Sequence, residues 1–436
     1  MIVEDYIMLW AEKEPDKTAI ICGGNSISYY ELLHEIRVKA NEYKNLYSPK
    51  QIVPIKTEQN IDFLVTYFAL HSIGCVCAPL ERNTPETLFQ QLSQQLTSYQ
   101  APDNAADILY TTGTTGKSKG AIRSHATILA DAEDLIEAQE FSHDLNFIIT
   151  GPLNHIASLS KIAPSVMVGA TITILEGMKD INAFYDAFNH PAQKFATFLV
   201  PASIRILLQF SKERLSEVSN KIDFIETGSA AISQDDMKKL CEILPNSRLY
   251  NTYASTETGI MTTYNFNDGQ HLAGCVGKTM KHSNIHISDD GHIICNGATI
   301  MLGYIGDSEL TSKILINGEI HTSDLGTIDS NGMLYLQGRN DDIINVGGFK
   351  ITPLEVENAA LSHDNILDCI CISTPHPITG NVLKLLVVTK NAVFNKKELA
   401  FYLKTKLEPY KVPLQYEQVQ CIKRTYNGKL DRKYYK

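Results

Sequence analysis

Short apolar runs alternate with segments of helical periodicity along the first part of the chain. The apolar runs predict buried strands, because a short apolar run bounded by turn residues is typical of a covered sheet. These runs lie at residues 19–22, 147–150, 171–175, 195–199 and 224–226. Apolar residues recur at helical spacing in residues 61–72, 126–138 and 204–215. Such alternation predicts a large α/β body with mostly parallel sheets.

The pattern changes after about residue 271, where helical spacing becomes rare. Short strands are predicted at residues 276–278, 285–288, 292–295, 325–329 and 333–337. They indicate a small β-rich subdomain at the end of the body. The polar segment 338–342 marks a boundary, and the remainder contains predicted helices at 353–363 and 395–407 and strands at 370–373 and 386–389. We therefore expect an N-terminal domain over residues 1–338 and a small α+β C-terminal domain over residues 342–436.

Composition narrows the class of protein. The 436 residues carry a formal net charge of −10, which argues against a protein that coats nucleic acid or an anionic membrane. The longest nearly apolar stretch, residues 162–175, contains Pro164 and Gly169 and is shorter than the roughly 20 residues of a membrane span. Nine cysteines, an odd number without a C-x-x-C pair, favour a reducing compartment. We expect a soluble cytoplasmic protein.

A run of ten small and basic residues is the strongest local signal for chemistry. Residues 111–120 contain only Thr, Gly, Ser and Lys, and they follow an apolar strand and precede a predicted helix near His125. Glycines let backbone N–H groups surround an oxyanion, and hydroxyl and ammonium groups add further donors, as a polyphosphate requires. A Walker A loop would need glycine at position 111, which is Thr.

Five motifs in a fixed order resemble those of the adenylate-forming (AMP-binding) superfamily, which includes acyl-CoA synthetases, adenylation domains of peptide synthetases and luciferases. They are YTTGTTGKSKG at 110–120, YASTETG at 253–259, TSDLG at 322–326, GRNDDIINVGGFK at 338–350 and NGKLD at 427–431. The resemblance implies a large N-terminal domain and a mobile C-terminal domain. Two departures are an abbreviated stretch at 79–107 and Ser323 in place of the usual glycine.

The resemblance implies an ATP-dependent carboxylic acid–CoA ligase. The acid and ATP give acyl-AMP and pyrophosphate, and CoA then takes the acyl group as a thioester. Mg²⁺ would be held by Glu257, and Thr256 would bind the α-phosphate. The phosphate loop would hold the β- and γ-phosphates through Thr111, Thr112, Gly113, Thr114, Thr115, Gly116 and Lys119.

The nucleoside contacts are implied in the same way. Tyr253 would stack on the adenine ring and Asn251 would contact its exocyclic amine. Asp324 would accept hydrogen bonds from both ribose hydroxyls, a role suited to an ionised carboxylate, and Arg339 would reach the sugar or a phosphate. Close approach of the backbone to adenine is assigned to a turn of small residues, Gly228, Ser229 and Ala230.

The C-terminal part supplies residues for both half-reactions. By resemblance, Lys429 bridges the carboxylate and the α-phosphate during adenylate formation. Asp341 is the hinge about which the C-terminal domain turns, after which Gly347 and Gly348 line the tunnel for the pantetheine arm. One domain would thus serve two reactions by moving.

The substrate acid is the least defined part of the prediction. Residues 151–160 (GPLNHIASLS) resemble the acid-pocket motif of ligases for aryl and related acids, including 2-succinylbenzoate–CoA ligases, with His155 next to the carboxylate. No Asp occurs from 151 to 165, so an amino acid would leave its ammonium unpaired. The side chains expected to converge on the acid are those of His155, Ala202, Ser229, Ala254 and Met261.

Two alternatives stay open. A ligase that loads an acyl carrier protein would use the same pantetheine arm as one that uses free CoA. A catalytically silent nucleotide-binding protein could retain the fold, although the reacting positions Glu257, Asp324, Arg339 and Lys429 are all present. The identity of the acid and the oligomeric state are not predicted.

Overall fold

Helices cover both faces of the main sheet. The computed structural model describes residues 1–112, 118–192, 194–346, 348–377, 380–391, 394–425 and 429–435. The helices are α1 Val3–Lys13, α2 Tyr29–Tyr43, α3 Ile61–Ser72, α4 Glu86–Thr97, α5 His125–Gln139, α6 Ile156–Leu159, α7 Ile162–Met167, α8 Ile181–Asp186, α9 Pro201–Phe210, α10 Lys212–Glu217, α11 Gln234–Ile243, α12 Ser308–Ile314, α13 Pro353–Leu361 and α14 Lys396–Lys404. Within these described ranges, no helix has both the length and the apolar character needed to cross a bilayer.

The strands alternate with these helices up to β11 and follow one another more closely afterwards. They are β1 Thr18–Cys22, β2 Asn25–Ser28, β3 Ile52–Lys56, β4 Val76–Leu80, β5 Ala105–Thr112, β6 Ser118–Ser124, β7 Leu145–Ile149, β8 Thr171–Ile174, β9 Lys194–Phe198, β10 Ile222–Thr227, β11 Arg248–Ser255, β12 Gly259–Asn265, β13 Cys275–Thr279, β14 Ser283–Ile287, β15 His292–Gly297, β16 Gly303–Tyr304, β17 Leu315–Ile316, β18 Glu319–Ile328, β19 Leu334–Arg339, β20 Ile344–Val346, β21 Phe349–Ile351, β22 Ile366–His376, β23 Gly380–Thr389 and β24 Gln415–Gln418.

One long sheet runs in the order β14-β15-β18-β19-β13-β12-β11-β10-β9-β7-β8-β1-β2. The pairs from β11 to β1 are parallel, which confirms the predicted parallel body. The pairs from β11 through β12, β13 and β19 to β18 are antiparallel. The predicted β-rich segment is therefore present and is hydrogen-bonded in continuity with the large sheet.

Alternate residues of the central strands enter two different cores. Phe147 and Ile149 of β7 pack with α1, α2, α3 and α5, and the Phe141 and Phe147 rings stack with centroids 5.5 Å apart. Ile148 faces the opposite side, where α8 to α11 pack. This alternation follows from the two-residue period of a strand and explains why these strands are apolar throughout.

A second sheet carries the hairpin that leads into the Thr/Gly/Lys loop, in the order β16-β6-β5-β4-β3. Strand β6 was not predicted, because Ser118 to Gly120 read as part of a polar loop. Gly120 makes the strand possible: a Cβ there would lie 2.7 Å from Ile108 Cγ2 and 2.8 Å from Ile305 Cγ2. Helix α5 begins at His125, as predicted, with the Ser124 hydroxyl accepting the Thr127 N–H.

The C-terminal residues form a core of their own. Helices α13 and α14 pack on β22 and β23, and Cys369 and Cys371 point from β22 into the same apolar cluster. Two predicted helices are shorter than expected, ending at Leu361 and Lys404.

The predicted helix at 204–215 is wrong in one respect, because it is interrupted at Ser211 between α9 and α10. The Tyr185 hydroxyl lies 2.9 Å from Ser211 Oγ and 3.1 Å from its carbonyl oxygen. This buried contact holds Ser211 outside helical geometry.

Candidate functional site

A cavity of about 220 Å³ opens where the two sheets and the C-terminal residues meet. Among the charged side chains that line it, Lys119, Glu257, Asp324 with Arg339, and Lys429 come from four separate segments. All four segments belong to the motifs singled out in the sequence. The structure thus brings distant motifs to a single cavity.

The phosphate-loop prediction is only partly within the described residues. Gly113, Thr114, Thr115 and Gly116 lie outside them. The backbones of Thr111 and Thr112 pair with Lys119 and Ser118 in the β5–β6 hairpin, so residues 113–117 connect its two strands. Lys119 Nζ lies 5.7 Å from the centroid of the Tyr304 ring at the cavity wall.

Glu257 lies in the turn between β11 and β12, beside Thr256, and both residues line the cavity. The Tyr304 hydroxyl donates a hydrogen bond of 2.7 Å to Glu257 Oε1, and the Met301 N–H donates to the Glu257 carbonyl oxygen at 2.8 Å. Burial and the Glu257 carboxylate both raise the pKa of Tyr304, so the phenol remains a donor. These contacts hold the carboxylate in place at the cavity.

Asp324 and Arg339 are directly opposite each other on β18 and β19. Arg339 Nε lies 3.6 Å from Asp324 Oδ1, and the Tyr253 hydroxyl donates to Asp324 Oδ2 at 2.8 Å. Burial, followed by the charge of Asp324, raises the pKa of Tyr253 well above its ordinary value. Asp324 is therefore oriented by one neutral donor and one cation.

Tyr253 and Asn251 do not line the cavity, although both were predicted to contact adenine. The Tyr253 ring is 5% exposed and packs in the core, and Asn251 Nδ2 donates to the Cys275 carbonyl oxygen at 2.8 Å. Successive residues of a strand point to opposite faces. Thr252 and Ala254, which alternate with these two on β11, line the cavity instead.

The predicted adenine turn follows β10. Ser229 lines the cavity and has a positive φ of 65°. A Cβ at Gly228 would lie 2.9 Å from Thr252 Oγ1 and 3.0 Å from its carbonyl oxygen, so a larger residue would displace β11. Ala230 is half-buried beside them and does not line the cavity.

Lys429 is exposed as a residue, yet its side chain enters the cavity. Desolvation of the ammonium group lowers the pKa of Lys429, the charge of Arg339 lowers it further, and Asp324 and Glu257 oppose both effects. The Thr425 N–H donates to the Lys429 carbonyl oxygen at 2.9 Å and anchors the backbone.

Only one of the two residues predicted to form a pantetheine tunnel is among the described residues. Gly347 is outside the described residues. Gly348 has a φ of 93° in the turn between β20 and β21, where its N–H donates to Asn345 Oδ1 at 3.0 Å. It is exposed and does not line the cavity. A role for this turn requires the C-terminal part to move.

His155 lies at the start of α6 and lines the cavity. Burial lowers the pKa of His155 from 6.5 to about 4, with a further contribution from the charge of Lys429. The imidazole is therefore neutral at neutral pH, and it can donate or accept a hydrogen bond without adding charge.

We expect the His155 imidazole to titrate near pH 4, which NMR of the ring protons can measure, with the His155→Gln variant providing the assignment. The unfolded chain binds more protons between pH 4 and 6.5, so His155 makes stability fall as pH falls through that window. Lys429→Met should raise the pKa of His155, because it removes a nearby positive charge. An unchanged titration in that variant would contradict the proximity of the two groups.

A buried ion pair behind the cavity wall was missed by the sequence analysis. Glu226 lines the cavity and is 1% exposed, and Lys161 lies behind it, fully buried. Lys161 Nζ lies 2.8 Å from Glu226 Oε1 and 2.7 Å from Oε2, and the Thr252 hydroxyl donates to Oε1 at 3.0 Å. In the sequence, Lys161 and Glu226 each stand directly beside apolar residues. That placement was the signal from which their burial could have been predicted.

The rest of the wall near His155 is mostly apolar. Ile156, Ala157, Phe198 and Ala254 line it, together with Ser229. Met261 was expected to line it but lies fully buried in a core cluster, and Ala202 is also absent from the wall. The sequence could not distinguish these positions, because neighbouring residues of one strand or helix point in different directions.

Comparisons with known proteins agree with this arrangement. A family model described as AMP-binding enzyme matches residues 86–305, and one described as AMP-binding enzyme C-terminal domain matches residues 355–429.

Among curated proteins, the chain is 28% identical over 342 residues to indoleacetate–CoA ligase of Aromatoleum aromaticum and 29% identical over 336 residues to 2-succinylbenzoate–CoA ligase of Staphylococcus aureus. Each match covers 76% of this chain and 66% of the relative. A 3-[(3aS,4S,7aS)-7a-methyl-1,5-dioxo-octahydro-1H-inden-4-yl]propanoyl:CoA ligase of Rhodococcus jostii is 27% identical over 334 residues, which are 76% of this chain and 64% of the relative. The matched part thus spans slightly less than two thirds of these relatives.

Solved structures share the fold over the whole chain. ATP-bound MatB from Rhodopseudomonas palustris superposes with a TM-score of 0.88 at 22% identity, covering 100% of this chain and 99% of that one. The o-succinylbenzoate CoA synthetase from Bacillus subtilis, in complex with its acyl-adenylate intermediate, superposes with a TM-score of 0.84 at 21% identity, covering 99% and 97%.

Proposed function

We propose that this chain, which belongs to the AMP-binding enzyme family, is an ATP-dependent carboxylic acid–CoA ligase. The acid and ATP would form acyl-AMP and pyrophosphate, and CoA would then accept the acyl group. One observation carries the proposal: Glu257, Asp324, Arg339 and Lys429 come from four separate motifs, and they line a single cavity. The names of the curated CoA ligases support the same reaction class.

Adenylate formation brings a carboxylate anion to the α-phosphate of ATP, so charge and position limit the rate. Lys429 would neutralise both anions as they approach. Asp324 would hold the ribose hydroxyls, since Tyr253 and Arg339 already fix its orientation. His155, neutral at pH 7, would contact the acid without attracting a second anion.

Glu257 fits a Mg²⁺ ligand, because its carboxylate is held at the cavity by Tyr304 and a hard cation prefers oxygen donors. Bound Mg²⁺ would supply positive charge to the phosphates of ATP. Tyr304 would keep Glu257 aimed at that position, and Thr256 would donate to the α-phosphate beside it.

We further propose that residues 1–338 and 342–436 are two domains that turn about Asp341. The C-terminal part has its own core and its own ion pairs, with Arg432 contacting Glu357 at 2.7 Å and Asp342 at 3.2 Å. With Lys429 in the cavity, the present arrangement suits adenylate formation. A turn would remove Lys429 and bring the hairpin with Gly347 and Gly348 toward the cavity for thioester formation.

CoA is the proposed acceptor, and an acyl carrier protein is the alternative that the following experiment distinguishes. The proposed location is the cytoplasm, where ATP and CoA are available and the buried thiols stay reduced.

Product mass spectrometry tests the function directly. The full chain is incubated with ATP, Mg²⁺ and a panel of aryl, alkyl and amino acids, with and without CoA. Acyl-CoA formed only when CoA is present supports the proposal and names the acid. Formation of pyrophosphate and acyl-AMP without a CoA thioester would favour an acyl carrier protein as the acceptor. No turnover with any acid would favour the silent nucleotide-binding protein.

Glu257→Gln should raise the Mg²⁺ concentration required for pyrophosphate release and lower the rate by about 10²-fold, because the amide cannot neutralise a divalent cation. Pyrophosphate release across a Mg²⁺ titration provides the measurement. Glu309→Gln, an exposed residue of α12, is the control and should leave the titration unchanged. A Glu257→Gln titration identical to that of the unmodified chain would remove Glu257 from the metal site.

A further inference from the structure

A cluster of buried polar groups lies beneath the start of β5, away from the cavity. His71 on α3, Cys77 on β4 and Asp107 on β5 are 3%, 0% and 2% exposed. A ring nitrogen of His71, Cys77 Sγ and a carboxylate oxygen of Asp107 all lie within 4.8 Å of one another. Three ligand types that bind metal ions thus meet inside the apolar core, where each is costly to bury alone.

Both nitrogens of the His71 ring face oxygen acceptors. Nδ1 lies 3.1 Å from Glu4 Oε1 on α1. Nε2 lies 3.1 Å from the Ala106 carbonyl oxygen and 3.2 Å from Asp107 Oδ1. A neutral imidazole has a single N–H, so one lone pair would point at an oxygen atom. Unless one of the two facing carboxyl groups holds a proton, the geometry calls for a cation at the ring: a second proton, or a metal ion at Nε2.

The balance of charge permits either occupant. With both ring nitrogens protonated and the thiol neutral, the carboxylates of Glu4 and Asp107 leave one excess negative charge. A divalent ion that replaces the Nε2 proton and the Cys77 thiol proton leaves the same excess, because the thiolate adds one negative charge and the imidazole becomes neutral. Exchange of two protons for the ion therefore does not change the charge buried in the core.

The surroundings match the outer contacts of known metal sites. Metal-bound histidines commonly donate their second N–H to a carboxylate, and Glu4 occupies that position at Nδ1. Asp107 Oδ2 accepts a hydrogen bond of 2.9 Å from the Tyr67 hydroxyl, which leaves Oδ1 toward His71. Glu4 Oε2 is buried without a hydrogen-bond partner among the described residues, so this oxygen can accept a further hydrogen bond.

We propose that His71, Cys77 and Asp107, with the Ala106 carbonyl oxygen beside them, form a structural Zn²⁺ site. Nitrogen, thiolate and carboxylate ligands suit zinc and not the hard Mg²⁺ ion that is proposed for the cavity. The ion would join α3, β4 and the first residues of β5, the strand whose far end leads into residues 113–117. Zinc would thereby stabilise the base of the phosphate loop without contacting a substrate.

Metal analysis of the full chain tests this proposal. The protein is purified without chelators, then stripped, and Zn²⁺ and Co²⁺ are titrated in the presence of excess Mg²⁺. We expect one ion per chain, release of two protons per ion, and a near-ultraviolet thiolate-to-cobalt absorption band. Failure of the folded, stripped chain to bind a stoichiometric ion would overturn the proposal and leave His71 as a buried imidazolium.

Matched variants identify the ligands. Cys77→Ala should abolish the cobalt band, whereas Cys75→Ala, an equally buried cysteine two residues earlier, should retain it. Glu4→Gln should weaken Zn²⁺ binding by about 10- to 100-fold through loss of the outer contact. A band that persists in Cys77→Ala, with circular dichroism confirming the fold, would place the metal elsewhere and reject this site.

Discussion

Lys429→Ala should reduce the rate of adenylate formation by about 10²–10³-fold, with ATP binding almost unchanged. The side chain enters the cavity opposite Glu257, Asp324 and Arg339. In the proposed first half-reaction two anions approach each other, and the ammonium group of Lys429 would be the positive charge that contacts both. Its pKa is lowered by desolvation, so the group is already stripped of part of its water before the substrates meet.

Acid-dependent exchange of pyrophosphate into ATP measures this step, and calorimetric titration with ATP measures binding. Lys404→Ala, an exposed lysine at the end of α14, is the control and should behave as the unmodified chain does. The second half-reaction offers an internal comparison: with acyl-AMP supplied, thioester formation should be affected much less. Undiminished exchange in Lys429→Ala would show that the lysine is not part of the chemistry.

Lys161→Met should lower the free energy of unfolding by about 3–5 kcal/mol, because it leaves Glu226 as a buried charge without its counter-ion. Lys161 and the Glu226 side chain are 0% and 1% exposed, and the Thr252 hydroxyl is the other donor to Glu226. The chain has a single tryptophan, Trp10, which packs against α7 of the body. Its fluorescence during denaturation in guanidinium chloride therefore reports on the part of the fold that contains the pair.

The double variant Lys161→Met with Glu226→Gln should recover most of the loss, since no buried charge remains and Thr252 still has an acceptor. Lys194→Met provides the surface control: its partner Asp144 lies 3.3 Å away, both side chains are more than 40% exposed, and the change should cost less than about 1 kcal/mol. Equal losses for Lys161→Met and Lys194→Met would show that the buried pair contributes no more than an exposed one.

The sequence predicted those parts of the fold that depend on local pattern. Residues 61–72 form the helix expected from their spacing, and the parallel strands follow the apolar runs. Strand β6 was not predicted, because the local sequence does not show the close packing of Gly120 against Ile108 and Ile305, which lie in other parts of the chain. The interruption between α9 and α10 at Ser211 likewise depends on a contact with Tyr185. The spacing of apolar residues in the sequence does not predict that contact.

The residues of the candidate site were likewise predicted only in part. Motif order was enough to select Glu257, Asp324, Arg339 and Lys429, and the structure places all four at one cavity. Tyr253 is the first residue of one motif and Asn251 lies two positions before it, yet the facing of β11 turns both toward the core. The Lys161–Glu226 pair joins residues 65 positions apart, so only the fold could show that the two charges meet.

Arg339 lies between two acids with different tasks, 3.6 Å from Asp324 and 3.8 Å from Asp341. In the proposed cycle, the first acid holds the ribose and the second is the hinge, so ribose binding and hinge rotation compete for one guanidinium group. Their free energies are then coupled, and the coupling acts equally in both directions. In that cycle, an orientation of the C-terminal domain that weakens AMP binding must itself be disfavoured by AMP to the same degree.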